Sequence, residues 1–310
     1  MKKSDVLFSN KITSIIIAVI VCALWGSLYP FIKIGYSAFD IAGKDIPTIM
    51  LFAGWRFTIS GFLLFAAFCI KEKKIHVPLE HGVVKYVILS SLASIVLHYL
   101  LTYTALSFGE GSKSAIIKQV GFLFLSCFAF LFVKDDKFSV SKLIAGILGF
   151  AGIIVTNFDS GGFTFAIGDV FLILASFCAV VSTVINKKII RKINPVQLVA
   201  YTQLFGGMIL CISGFAFGGR IAHIDTNSMF VFAYICITSI SAYSLWNTLI
   251  KYNDLSKLSV IKFTEPLFAV IFSGVLLGED IFKINYLIAF VIILAAILLS
   301  NIKPKRGTEQ

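Results

Sequence analysis

The sequence has few charged residues: Asp, Glu, Lys and Arg make up 14% of its 310 positions, whereas 58% are hydrophobic. Its mean hydropathy is +0.94. A soluble globule of this length needs more polar surface than these residues supply. The sequence also lacks the alternating segments of about ten residues that a membrane β-barrel requires, and contains apolar runs of about 18 to 25 residues instead. We therefore exclude a soluble domain and predict an all-α membrane protein.

Paired cysteines and clustered metal ligands are also missing. The six cysteines lie within apolar runs, without a C-x-x-C pair or a histidine at metal-ligand spacing. We expect them to pack as small hydrophobic residues. The sequence thus predicts no disulfide, no metal and no other cofactor. It also lacks the paired acids or histidines within spans that an intramembrane enzyme would need, so we predict no enzymatic activity.

The apolar runs predict ten transmembrane helices. They lie at 12–35, 48–70, 83–105, 112–133, 140–157, 167–187, 195–217, 228–250, 257–277 and 281–301. The first run exceeds the length of a signal-peptide core and lacks a small-residue cleavage site. We therefore expect it to remain in the mature protein.

The net charge of +11 reflects membrane orientation rather than nucleic-acid binding, because the basic residues concentrate on one side of the predicted spans. With a cytoplasmic N-terminus, nineteen of the 27 Lys and Arg residues fall in cytoplasmic segments and five in external segments. The other three lie within spans: Arg56, Lys118 and Lys262. We predict a multi-pass protein of the inner membrane in contact with lipid, with both termini in the cytoplasm and no nucleic-acid partner.

The chain also contains an internal repeat, visible when it is aligned with itself at an offset of 144 residues. Tyr99 then falls on Tyr243 and Lys118 on Lys262, within an ungapped match of helices 3 to 5 with helices 8 to 10. Each unit has five helices, an odd number, so the second must enter the membrane from the opposite face. The sequence thus predicts two inverted five-helix repeats, 1–158 and 159–310, with a substrate site between them.

Several motifs resemble those of the drug/metabolite transporter superfamily, specifically its ten-helix EamA-type exporters and permeases. In chain order they are Trp25-Gly26-Ser27, Arg56, Tyr103-Thr104-Ala105-Leu106, Gly168-Asp169, Glu265-Pro266 and Leu277-Gly278-Glu279. The resemblance implies secondary transport of amino acids, nucleobases, drugs or related metabolites through a central cavity, without ATP hydrolysis. The chain departs from the family pattern at Lys118-Gln119, where many relatives have an apolar residue and then a proline.

The two intramembrane lysines are the main candidates for substrate binding. A charge at the centre of a span costs about 2.5 to 3.5 kcal/mol on insertion scales, so it needs a partner or a watered cavity. Lys118 and Lys262 are equivalent in the repeat, and we expect them on opposite walls of one cavity. There they would bind a carboxylate or a phosphate. The alternative is that both side chains extend to the headgroup region.

Glu265, Pro266 and Arg56 are candidates for coupling or gating. Glu265 follows Lys262 by three residues, so a local ion pair is available and is the interpretation we favour. Alternatively, Glu265 is a protonatable carboxylate that links a proton to substrate movement. Pro266 removes a backbone donor and should loosen its helix at a position where a gate would bend.

Further polar and aromatic residues fall at the level of the predicted cavity. His98 either links helices or takes part in the site, and Arg56 either pairs with a carbonyl or an acid or attracts anions to a vestibule. The other candidates are Trp25, Tyr99, Gln119, Tyr243, Trp246 and Asn247. Interfacial aromatic belts are the competing explanation for the aromatic residues.

Together these features favour a secondary transporter of small polar metabolites, amino-acid-like or otherwise bearing a carboxylate or a phosphate, with alternating access. An exporter of drugs or cations is an alternative that would require an unpaired Glu265 facing the cavity. A channel or a membrane scaffold is the other alternative. The sequence predicts no particular oligomeric state.

Overall fold

The computed structural model describes residues 8–73, 81–121, 165–190, 192–253, 264–280 and 283–300. It also describes shorter pieces at 144, 147–148, 150–152, 154–155, 158–159, 162–163, 258 and 261–262. The helices are α1 (Lys11–Ala38), α2 (Ile46–Glu72), α3 (His81–Ser91), α4 (His98–Leu106), α5 (Gly111–Lys118), α6 (Ile167–Ile189), α7 (Pro195–Ala216), α8 (Thr226–Tyr252), α9 (Thr264–Leu277) and α10 (Ile284–Ser300).

Within these residues, six helical stretches are long and apolar enough to cross a membrane. They are Ile12–Ala38, Ile46–Lys71, Gly82–Leu106, Ile167–Ile189, Pro195–Ala216 and Thr226–Tyr252. Two shorter apolar helices follow, Thr264–Leu277 and Ile284–Ala296. The predicted helical membrane fold is thus confirmed. The number of ten spans stays a prediction, because residues 122–133 and most of 140–157 lie outside the described residues.

Polar caps explain where several of these helices begin. The side chain of Asn10 accepts hydrogen bonds from the backbone N–H groups of Ile12 and Thr13 at the start of α1. Asp45 and Asn194 cap α2 and α7 in the same way. These side chains satisfy N–H groups that the first helical turn leaves without partners. At the start of α8, hydrogen bonds from Ser228 lower the pKa of Asp225.

The third predicted span is not one regular helix. A π-helical segment, Leu92–Leu97, separates α3 from α4 and ends directly before His98. Such segments in α-helices often occur at functional sites. Nothing in the apolar pattern of the sequence distinguishes these six residues from their helical neighbours.

One small departure from the all-α prediction lies between the two halves. Strands β1 (Phe158–Asp159) and β2 (Gly162–Phe163) pair antiparallel, with Asp159 opposite Gly162. The sequence Asp-Ser-Gly-Gly at 159–162 is rich in turn-forming residues, which explains a hairpin here. The hairpin is too short to alter the helical character of the fold.

Helices α2 and α7 pack with their backbones in direct contact. A Cβ atom added to Gly61 would lie 2.4 Å from the backbone nitrogen of Leu204. A Cβ added to Gly207 would lie 2.3 Å from the backbone nitrogen of Thr58. Only glycine permits such an approach, as is common between membrane helices.

The interior of the helical assembly surrounds a central space. Helix α1 packs against both α8 and α9, while α4 packs against α6 and α5 against α9. The largest apolar cluster joins α1, α2, α4 and α8, with fully buried Phe52, Phe57 and Tyr103 near its middle. The polar side chains of the site project from the helices that border this cluster.

Candidate functional site

A cavity of about 120 Å³ lies between α1, α4, α5, α6, α8 and the start of α9. This volume is well above the roughly 10 to 15 Å³ that one water molecule requires, so the cavity has room for a small solute. Ten residues that the sequence singles out line it: Trp25, His98, Tyr99, Lys118, Gln119, Tyr243, Trp246, Asn247, Lys262 and Glu265. The structure thus brings them together, while their role in binding stays a prediction.

Arg56 and Pro266 do not line this cavity. Arg56 is fully buried, and its Nε donates to the hydroxyl of Ser239 at 2.6 Å while Nη1 donates to the hydroxyl of Tyr103. Its guanidinium carbon also lies 4.6 Å from the ring centre of Phe57. The hydrogen-bond partners of Arg56 are therefore hydroxyl groups and not the predicted carbonyl or acid, while its role in an anion-attracting vestibule stays a prediction.

Lys262 lies in a cage of aromatic rings and one carboxylate. Its Nζ is 3.7 Å from the ring centre of Trp25 and 4.8 Å from that of Trp246. It forms an ion pair with Glu265 at 3.4 Å. The local pair favoured from the sequence is therefore present. Both the Lys262 side chain and the buried Trp246 line the cavity.

Lys118 has a different environment. Its Nζ lies 3.3 Å from Nε2 of His98 and 5.5 Å from the ring centre of Tyr29. Among the described residues, no carboxylate lies within ion-pair distance of it. The two equivalent lysines thus differ, since Glu265 forms an ion pair with Lys262, whereas no described acid forms one with Lys118.

The wall between the halves is built from aromatic side chains. The hydroxyl groups of Tyr99 and Tyr243 are hydrogen-bonded at 2.5 Å. Trp25 packs edge-on against both Tyr243 and Trp246, with ring centres 5.6 and 5.2 Å apart. These rigid rings hold the shape of the cavity and present both apolar faces and polar edges to a solute.

Several polar atoms that face this region have no hydrogen-bond partner within the described part of the chain. They are Trp25 Nε1, Thr102 Oγ1, Gln119 Oε1, Asn247 Oδ1 and Glu265 Oε2, the last of which meets Lys262 only as an ion pair. A buried polar atom without a partner is destabilising by about 1 to 3 kcal/mol, so such atoms are rare unless water or a ligand meets them. One donor, one hydroxyl and three acceptors are therefore available for a bound solute.

Sequence reasoning missed one wall of the cavity, the polar face of α6. Ser176, Ser182, Thr183 and Asn186 recur at helical spacing and line the cavity together with Ser94 from the π-helical segment. The hydroxyl of Ser90 continues this face by donating to Asn186 at 2.6 Å. The signal was present as a polar stripe of period three to four within an apolar run.

Ion pairs concentrate at one end of the cavity. Lys33 pairs with Glu279 at 3.0 Å, Lys113 with Asp169 at 3.2 Å, and Lys283 with Glu110 at 2.7 Å. These pairs connect α1, the start of α5, α6 and the residues that precede α10. Asp169 and Asn186 lie at opposite ends of α6, about 25 Å apart along its axis. The six ion-paired residues lie beyond the cavity lining, toward the end of α6 that carries Asp169, while the hydroxyl-lined arm of the cavity, at Ser182, Thr183 and Asn186, extends toward the other end.

Metal binding finds no support among these residues. No group of three or more His, Cys, Asp or Glu side chains in the described ranges is arranged to hold a metal ion. Glu265, the acid among the described lining residues, forms an ion pair with Lys262.

Comparison with known proteins places this architecture in a family. The model of the EamA-like transporter family matches residues 12–158 and again residues 166–301. The chain belongs to the EamA-like transporter family. It is therefore a multi-pass membrane protein of a transporter family, and the resemblance seen in its motifs is confirmed.

Individual relatives of this family extend over nearly the whole chain. The uncharacterized transporter YvbV of Bacillus subtilis is 25% identical over 297 residues, which cover 94% of this chain and 92% of the relative. The uncharacterized inner membrane transporter YedA of Escherichia coli is 24% identical and covers 89% of this chain. A solved crystal structure aligns with a TM-score of 0.69 at 16% identity, covering 94% of this chain and 97% of its own, which supports the fold.

Proposed function

We propose that this protein is a secondary transporter that carries a small metabolite bearing a carboxylate or a phosphate, amino acids included. The observation that supports this most strongly is the difference between the two cavity lysines. Glu265 neutralises Lys262 at 3.4 Å, whereas Lys118 faces the same space next to a histidine and an aromatic ring. The cavity thus has one uncompensated positive charge, and an anionic group would satisfy it.

The polar atoms around Lys118 fit the remainder of such a solute. Gln119 Oε1 and Asn247 Oδ1 accept hydrogen bonds, and the indole N–H of Trp25 donates one. An amino acid would place its carboxylate at Lys118 and its ammonium near these acceptors. The alternative of a cation exporter is less well supported, because the carboxylate it requires is paired with Lys262.

Two sets of contacts support an arrangement of inverted repeats, 1–158 and 159–310. Tyr99 and Tyr243 are 144 residues apart in the chain, and their hydroxyl groups meet. The contact of Gly61 with Leu204 and that of Gly207 with Thr58 interchange at an offset of 146 residues. Equivalent residues meet in this way when a two-fold axis passes between them. Such an axis in the membrane plane is the geometry from which alternating access follows.

The distribution of basic residues supports one orientation of the protein in the membrane. The excess of Lys and Arg in the segments assigned to the cytoplasm favours cytoplasmic termini in an inner membrane. The ion-paired end of the cavity then faces outward and the hydroxyl-lined arm of α6 faces the cytoplasm. Switching between the two faces would require the ion pairs to part and the arm to close.

A transport assay tests the proposal. Purified protein in liposomes is assayed for counterflow with a panel of amino acids, hydroxy acids, dicarboxylates and sugar phosphates. We expect saturable uptake of at least one anion-bearing class, and a decrease of tenfold or more in Lys118→Gln. The matched control Lys85→Gln changes an exposed lysine on α3 and should retain wild-type flux. Unsaturable conductance would indicate a channel, and undiminished flux in Lys118→Gln would contradict the binding site.

A further inference from the structure

His98 is held between two helices as a neutral ring of one defined tautomer. Its Nδ1 lies 2.8 Å from the carbonyl oxygen of Ala175 on α6, and its Nε2 lies 3.3 Å from Nζ of Lys118. A carbonyl oxygen only accepts, so Nδ1 carries the hydrogen. An ammonium only donates, so Nε2 presents its lone pair. The empty site therefore has a neutral imidazole with its basic nitrogen directed at the uncompensated lysine.

We propose that His98 takes up one proton when an anion binds at Lys118, so that anion and proton enter the cavity together. This inference rests on the proposed function, since it requires the anion site. A proton from solution adds to the lone pair of Nε2, which then becomes a donor. Two donors, Nε2–H and the Lys118 ammonium, would repel each other without an acceptor between them. An anion oxygen accepts from both, so each event favours the other.

The charges around His98 support this assignment. Positive charges act on the ring from Lys118 on α5, Lys262 before α9 and Arg56 on α2. Among the described residues, Glu265 is the acid that lines the cavity, and it is paired with Lys262. The phenol groups of Tyr29, Tyr99 and Tyr243 are the other titratable groups of the described lining. Protonation of His98 in the empty site is thus offset by no free carboxylate of the described lining.

The charge balance gives the consequence for transport. The two lysines and Glu265 leave the described lining with one net positive charge when the cavity is empty. A monovalent anion alone removes that charge, and an anion with a proton on His98 restores it. The charge of the cavity is then the same before and after loading. A pH gradient would therefore drive the anion, and the membrane potential would not.

Binding measurements at different pH values test this inference without a known substrate. The probes are lactate and sulfate, which remain ionised between pH 6 and 8, so any pH dependence belongs to the protein. We expect wild-type affinity to increase about tenfold for each unit that the pH decreases from 8 to 6, one proton being linked to each anion. His98→Gln retains a donor and an acceptor but no titrating group, so its affinity should stay constant across this pH range.

A spectroscopic readout on the unaltered protein accompanies these measurements. With 15N-labelled histidine, the protein contributes four imidazole rings, and the His98 signals are those missing in His98→Gln. Without anion at pH 7 we expect the tautomer with hydrogen on Nδ1. With saturating lactate the same ring should become doubly protonated. The control His223→Gln, which alters an exposed histidine, should retain the pH dependence.

The outcomes separate the two proposals. An anion affinity that still depends on pH in His98→Gln would overturn the inference and leave the anion site intact. A His98 ring that stays neutral with anion bound would do the same. Failure of wild type to bind either anion, or unchanged binding by Lys118→Gln, would overturn the anion site itself and the inference with it. Since the spectrum is recorded on wild type, it decides the question even if His98→Gln does not fold.

Discussion

Gly207→Ala is the substitution for which the structure predicts the sharpest loss of stability. The added Cβ would lie 2.3 Å from the backbone nitrogen of Thr58 and 2.7 Å from the backbone carbonyl carbon of Phe57. Neither atom belongs to a flexible side chain that can rotate away. Helices α2 and α7 must therefore separate locally for the methyl group to fit.

The distances set the size of the effect. Ordinary carbon contacts begin near 3.5 Å, so the helices must move apart by about 1 Å. Overpacking of a well-packed interior typically costs 1 to 3 kcal/mol. Because both opposing atoms are backbone atoms, we expect about 3 kcal/mol here. That corresponds to a decrease of roughly 5 to 10 °C in melting temperature.

Thermal unfolding of the purified protein in detergent measures this decrease, and Gly82→Ala is the matched control. No heavy atom lies within 4 Å of a Cβ placed at Gly82, and both glycines are helical. Alanine has the higher helix propensity at both positions, so this control isolates the steric contribution. A Gly207→Ala protein that melts within 1 °C of Gly82→Ala would refute the close contact of the two helices.

Three further predictions concern charge and orientation. Glu265→Gln leaves Lys262 in the interior without its carboxylate, so the free energy of unfolding should decrease by about 3 kcal/mol. The number of protons moved per anion should stay unchanged, as counterflow and pH-gradient uptake in the same liposomes would show. Glu279→Gln removes the ion pair with Lys33 but retains an oxygen for the amide of Gly111. A cysteine at position 106, which lines the cavity, should then react faster with a thiol reagent. An unchanged rate would exclude these pairs as a barrier to reagent entry. Cysteines at positions 44 and 223 should react with an impermeant reagent applied outside, and a cysteine at position 73 should not. The reverse pattern would show that the predicted orientation is wrong.

The sequence predicts well those features that depend on local pattern. Apolar runs identify the spans, since a helix is the structure that satisfies its backbone within lipid. The pair between Lys262 and Glu265 follows from their spacing of three residues on one helix. The position of Lys118 and Lys262 at the cavity follows in part from the rule that charged side chains within membrane spans need a partner or water.

Features that depend on tertiary packing were not predictable in the same way. Lys118 and His98 are twenty residues apart on different helices, and their contact depends on how α4 and α5 pack together. Arg56 was wrongly expected to meet a carbonyl or an acid, because nothing local indicates that Tyr103 and Ser239 approach it. The π-helical segment has no residue signature at all.

The three ion pairs at the closed end of the cavity have a consequence for the energy of opening. Their lysines are partly exposed, from 19% for Lys113 to 31% for Lys283, so each pair contributes about 1 kcal/mol or less. Under the proposed alternating access, the three pairs together would favour the closed state weakly enough for thermal motion to open it. Because salt screens such pairs, a higher ionic strength on that side of the membrane would then shorten the lifetime of the closed state.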